Sequence, residues 1–140
     1  LIYNYPGISE RLDCEIDRLN EMSALEREKL FEKFEISMQR CYDAFGDFCF
    51  SKIQISDGDI SRKMDYINKS LYSSFSVLII SDEYDNIDIE KKRKELLMTL
   101  ADALTDHSYI NSITVGTGDR RNVQINFKKS KEVLDKCLKK

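Results

Sequence analysis

The sequence predicts an all-α fold, a bundle of about five helices around a central buried helix. Three observations carry this expectation. Breakers are scarce, with one proline and five glycines in 140 residues, which favours long helices over a many-turned β fold. Apolar residues recur at steps of three and four along most of the chain. The densest apolar run, residues 66–80 (YINKSLYSSFSVLII), places Ile67, Leu71, Phe75 and Leu78 at steps of four, four and three, and Ile79 and Ile80 then widen the stripe. A helix apolar almost all round belongs inside a bundle. A buried strand over 75–80 is the rival reading, and the polar Ser73, Ser74 and Ser76 fit the helix better.

The length suits one domain with a real core, and residues 1–140 are read as a single helical domain. With 41% hydrophobic and 34% charged residues the chain is too apolar for disorder. Residues 1–6, LIYNYP, are apolar and aromatic without a helical period. Pro6-Gly7 then breaks the chain and opens a first helix with Ile8, Leu12, Ile16 and Leu19 as its buried stripe. Ser23 and Glu26 have the spacing of a capping box. They open a second helix in which Phe31, Phe34, Met38, Cys41 and Phe45 step by three, four, three and four, with the run EREKLFEK as a solvated face. Gly46 suits the position just past the helix end, where a left-handed backbone is wanted. Residues 48–50 tuck back on the bundle, and 51–63, with Asp57-Gly58-Asp59, read as an exposed polar loop.

After the central helix, residues 81–90 carry five acidic side chains and 91–94 read KKRK. Acid before base suits one helix dipole. Its inner face is Ile89, Leu97, Leu100, Ala101 and Leu104, and it ends at 105–108. Residues 109–113 form a short apolar link. Thr117 or Asp119 caps a last helix, roughly 120–139, with Val123, Phe127, Leu134 and Cys137 or Leu138 inside. The alternation of Val123, Ile125 and Phe127 keeps a short strand open as the alternative.

The chemistry-bearing residues are sparse. Cys14, Cys41, Cys49 and Cys137 contain no CxxC pair and are expected as reduced, mostly buried thiols in a cytoplasmic protein. No apolar run approaches the roughly 20 residues that cross a membrane. His107 is the only histidine and reads as a helix-end residue near the carbonyl dipole. The carboxylates Asp82, Glu83, Asp85, Asp88 and Glu90 lie on one exposed stretch and miss the calcium-loop spacing. No catalytic residue, metal or cofactor is expected. The sequence GTGD at 116–119 lacks the P-loop form, but amides at a helix start attract anions. Gly116, Thr117 and Gly118 are therefore a candidate anion loop beside Arg120 and Arg121. Residues 116–140 hold eight basic and three acidic side chains, a net +5 against −8 for the rest. Arg120, Arg121, Lys128 and Lys129 are the candidate DNA contacts. The other reading of this helix is that it docks on the acidic remainder of its own protein.

Four segments in order, YNYPGISERL, FEKFEISMQRCYDAFGDFCF, INKSLYSSFSVLI and ITVGTGDRRNVQINFKKSKEVL, resemble the C-terminal helical part of the bacterial family with the GmrSD-type, ParB-like nuclease fold (domain of unknown function 262). The matching positions are Asn4-Tyr5-Pro6-Gly7-Ile8, Phe45-Gly46 through Phe50, Ile67-Asn68-Lys69-Ser70-Leu71, and residues 116–127. The DGQQR-like run of the family's N-terminal domain and an HNH-type His-rich nuclease have no counterpart in this chain. The resemblance implies a non-catalytic C-terminal helical accessory domain of a restriction or anti-phage defence protein. Such a domain packs against a ParB-like nuclease domain of the same protein, with DNA contact as an open addition. The opening LIYNY is the expected junction, and a chain that begins at Leu1 is expected to be part of something longer. The alternative is a protein-interaction or dimerisation module that binds no nucleic acid.

Overall fold

A computed structural model describes residues 8–139, with side chains from Leu12 onward. The opening 1–6, the Pro6-Gly7 break and the side chain of Ile8 lie outside the described residues. The fold is mostly helical, with six α-helices and one two-stranded sheet among the described residues. By compactness the chain is described as two units, Leu1–Phe34 and Glu35–Lys140.

The first unit holds α1 (Ile8–Glu21) and the start of α2 (Ala24–Phe45). The capping box forms: Ser23 N donates to Glu26 Oε2 at 2.8 Å, and Glu26 N donates to Ser23 Oγ at 3.3 Å. The Ser23 hydroxyl, then its amide, hold the Glu26 carboxyl below its ordinary pKa. The expected buried stripe of α1 is not buried. Leu12 is 58% exposed, and Ile16 and Leu19 are exposed too. Spacing gives a helix its apolar side, but not the surface that would cover it. In α2, Phe31 and Phe34 lie with ring centroids 6.3 Å apart, and they remain 60% and 47% exposed.

In the second unit the same α2 seam goes inside. Cys41, Ala44 and Phe45 are buried, with Met38 packed against them. The Cys41 thiol is raised well above its ordinary pKa by its hydrogen bond to Cys49 and by burial. Cys137 is buried and Cys14 exposed, and all four cysteines are free. Gly46 takes φ +53° directly after α2. Arg93 closes the end of that helix, with Nε donating to Asp43 O at 2.9 Å and a terminal nitrogen to Tyr42 O at 3.3 Å. These are carbonyls that a helix C-terminus leaves without partners.

Residues 51–63 are not an exposed loop. They form a hairpin of β1 (Ile53–Ser56) and β2 (Asp59–Arg62), paired Ile53↔Arg62 through Ser56↔Asp59. Asp57 and Gly58 both take positive φ, as a two-residue type I′ turn requires. Ser51, Lys52 and Ile53 are buried. Helix α3 (Lys69–Leu78) is shorter than residues 66–80 suggest. Asn68 caps it by accepting from Leu71 N at 2.9 Å, and its amide donates to Ile113 O at 2.8 Å. Ile67 therefore lies before the helix and is exposed, while Ile79 and Ile80 follow it. Val77 is exposed as well, so α3 is amphipathic rather than apolar all round.

The acidic stretch and KKRK do not share one helix. Asp82–Tyr84 and Glu90–Lys92 are single 3-10 turns, and α4 (Arg93–Ala103) begins only at the third basic residue. The expected inner face, Ile89, Leu97, Leu100, Ala101 and Leu104, is buried, with Leu96 added. The apolar link at 109–113 is largely helical, as α5 (His107–Ser112), capped by Asp106. His107 therefore opens a helix and does not sit at a carbonyl end. Helix α6 (Arg120–Leu138) matches the expected last helix, and 123–127 is not a strand. Its inner side is Asn126, Ser130, Val133, Leu134, Cys137 and Leu138, while Val123 is exposed. The helix packed by α3, α4 and α5 is α6, so the centre lies there and not at residues 66–80. At 19 residues α6 is long enough to meet all three, and α3 has only ten.

Where α3, α5 and α6 meet, the core is polar. Ser74 Oγ lies 2.8 Å from Ser130 Oγ and donates to Asn126 Oδ1 at 3.1 Å. Tyr109 Oη lies 2.9 Å from Ser130 Oγ, and Asn126 Nδ2 donates to Ser70 O at 2.8 Å. All four side chains are buried. No buried side-chain polar atom lacks a partner among the described residues. Such a network is costly only when broken in part. Asn126→Ala, which removes the side chain joining Ser74, Ser130 and the Ser70 carbonyl, is expected to lower unfolding free energy by about 3 kcal/mol, and Tyr109→Phe by about 1 kcal/mol. Urea unfolding of the two variants checks this, and equal losses would argue against Asn126 as the hub.

Candidate functional site

The candidate basic residues lie on α6. Asp119 is its N-cap by position (φ −67°, ψ 134°), but its side chain makes no cap hydrogen bond. The carboxylate instead turns back over the preceding turn. Its Oδ2 would stand 2.6 Å from a Cβ at Gly116, where φ is +56°. Asn122 Nδ2 closes the same turn by donating to Val115 O at 2.9 Å and Gly116 O at 3.0 Å. The Gly116–Thr117–Gly118 turn is thus folded around its own carboxylate and amide. An anion there would meet the charge of Asp119.

Arg120, Arg121 and Lys128 are exposed and belong to no ion pair among the described residues. Lys129 is different. Its Nζ is 2.9 Å from Asp106 Oδ2 and 3.6 Å from Glu132 Oε2. Asp106 also accepts from the Ser108 amide at 2.7 Å and the Tyr109 amide at 3.3 Å. Lys129 first, then Ser108, hold the Asp106 carboxyl far below its ordinary range, and Asp106 raises the pKa of Lys129 in return. The four candidate residues therefore separate into three free cations and one that fastens α6 to α5.

The rest of the C-terminal charge also turns inward. Lys131 Nζ is 3.0 Å from Glu83 Oε2 and 3.3 Å from Asp135 Oδ1. Lys139 pairs with the same two carboxylates, at 3.1 Å from Asp135. The buried Tyr84 donates its hydroxyl to Asp135 at 2.7 Å. Burial works against the Asp135 charge, but Tyr84, Lys139 and Lys131 outweigh it and lower its pKa. Burial and the bond to Asp135 raise that of Tyr84. Glu83 and Asp82, in the acidic stretch, thereby belong to a turn that α6 holds. No three His, Cys, Asp or Glu side chains converge to hold a metal ion among the described residues. No helix among them is long and apolar enough to cross a membrane.

His107 and Arg121 share a shallow cleft with Ser108, Asn111, Asn122 and Ile125. Sequence spacing could not bring them to one cleft, because that depends on how the start of α5 packs on α6. The Lys129–Asp106 pair was equally hidden, since nothing local distinguishes Lys129 from Lys128.

Asp106 has a lowered carboxyl pKa in the fold. Its stabilising effect is present above the unfolded carboxylate range, near pH 4, and is lost as pH falls through the lowered value. Asp106→Asn is expected to be less stable than the parent at pH 7 and to lose less stability between pH 5 and pH 2. Urea midpoints at these pH values check it, and parallel acid profiles would refute the pairing.

No protein-family model matches the chain, and no curated protein or solved structure is significantly similar to it.

Proposed function

We propose that the chain is a non-catalytic helical accessory domain whose N-terminal unit docks on another protein surface. The carrying observation is the bare apolar side of residues 12–34. Leu12, Ile16, Leu25, Leu30, Phe31 and Phe34 are all exposed, with the Phe31 and Phe34 rings side by side, and an excess of exposed apolar side chains marks interaction surfaces. The α2 seam adds to this. Its spacing is continuous from Phe31 to Phe45, yet only the later part is buried. Phe31 and Phe34 are the residue types of a seam that something covers. The resemblance to GmrSD-type proteins supplies the occupant, the ParB-like nuclease domain of the same protein. In this reading the reaction belongs to that domain, in DNA restriction or anti-phage defence.

The experiment is a binding titration against the ParB-like domain of the parent protein. A double variant, Phe31→Ser with Phe34→Ser, is expected to bind more than 30-fold more weakly, as loss of central aromatic anchors does. It should keep the parent's melting midpoint within about 2 °C, because neither ring is in the core. Equal binding by both proteins would overturn the reading. Light scattering separates the other occupant: a mass that doubles with concentration favours a dimerisation module.

A second reading, contact with duplex DNA, is favoured by Arg120, Arg121 and Lys128, three exposed cations that belong to no ion pair among the described residues. Arg120→Glu with Arg121→Glu is expected to weaken duplex binding and flatten its salt dependence by about two phosphate contacts. An unchanged mobility-shift titration would remove DNA from the account.

A further inference from the structure

Lys52 is 7% exposed and lies one step before β1. Its carbonyl accepts from Lys63 N at 2.8 Å, which extends the ladder one step beyond Ile53↔Arg62. Lys52 and Lys63 are therefore a directly opposed cross-strand pair, with side chains on one face of the hairpin. Opposed like charges destabilise a sheet. Neither lysine takes part in an ion pair among the described residues. The only partner of Lys52 Nζ among them is a hydroxyl, Thr114 Oγ1, at 2.8 Å. That hydroxyl already donates to Ile110 O at 2.6 Å, so it accepts from Lys52 and brings no negative charge to it. Arg62, next in the strand, is engaged elsewhere, donating to Asp47 O and lying over the Phe48 ring.

Lys52, with most of its side chain covered and no carboxylate partner among the described residues, stands at the sheet position opposite a second lysine, an arrangement of like charges that an anion between them would relieve. We propose that Lys52 and Lys63 form a receptor for a phosphate dianion, with Thr114 orienting Lys52. Lysine serves phosphate as a point charge, and two ammonium groups at opposed positions match the two charges of a terminal phosphate. Burial, then the charge of Lys63, lowers the pKa of Lys52. A bound dianion reverses the second effect, so the Lys52 pKa rises on binding. The site shares no residue with the docking surface or with Arg120, Arg121 and Lys128, so its test does not depend on the function proposed above.

The test is a phosphate titration of the whole chain at constant ionic strength, read by melting midpoint and by the Lys52 side-chain NMR resonance. Inorganic phosphate is expected to raise the midpoint by several degrees over chloride and to shift the Lys52 resonance. Lys52→Met should lose at least four-fifths of the midpoint gain, and Lys63→Gln, at an exposed position, a smaller share. Equal gains in parent and both variants, or an unmoved Lys52 resonance, would overturn the proposal. Two further arms identify the source. A nucleoside monophosphate that reproduces the shift points to a small ligand. A 5′-phosphorylated DNA strand that does so where its 5′-hydroxyl form fails points to a nucleic-acid end.

Discussion

Ser74, Asn126, Ser130 and Tyr109 hold three helices together at a point where an ordinary core would be apolar. Serine at two facing positions lets α3 and α6 approach closely, and the hydroxyl-to-hydroxyl distance of 2.8 Å records that approach. Apolar packing alone has weak directional preference. Hydrogen bonds do not, and a shift of one helix past another would strand several at once. The Phe45–Phe75 ring pair, 4.8 Å between centroids, and the leucines of α4 then fill the space around a frame whose register is already set. Asn68 adds a second tie, joining the start of α3 to the end of α5 through Ile113 O.

The electrostatics follow from the same frame. With α6 in the middle, the lysines at 129, 131 and 139 meet carboxylates from the segments around it and from α6 itself. Lys129 faces Asp106, and Lys131 and Lys139 face Glu83 and Asp135. Much of the basic excess at the C-terminus is thus spent on the fold itself. That leaves Arg120, Arg121 and Lys128, and the opposed pair Lys52 and Lys63, without a carboxylate partner among the described residues.

Helix content, the capping box at Ser23, the left-handed Gly46 and the extent of α6 were all legible, because each depends on residues within a few positions of one another. The inner face of α4 was legible for the same reason. What failed was nonlocal. Periodicity marked the apolar sides of α1 and early α2 but could not say whether anything covers them. Tyr109 looked like link material, since its role depends on Ser130, 21 positions later. The hairpin had a local signal, Asp57-Gly58 between Ile55 and Ile60, which polar neighbours outweighed. Of the four candidate basic residues, sequence could not single out Lys129, because the Asp106 contact is made only when α5 and α6 are both in place.

Helix α1 is 14 residues long, and its described side chains, 12–21, are all exposed. A helix of that length without a covered face is marginal in water, even with an ion pair such as Arg18–Glu15 at 2.8 Å. Its helicity and any association that covers it are therefore one linked equilibrium. Any partner that covers Leu12 and Ile16 must also supply the entropy of ordering the backbone. The result is a contact with a broad footprint and modest strength, which substitutions can tune through helix propensity at exposed positions without touching a single interfacial atom.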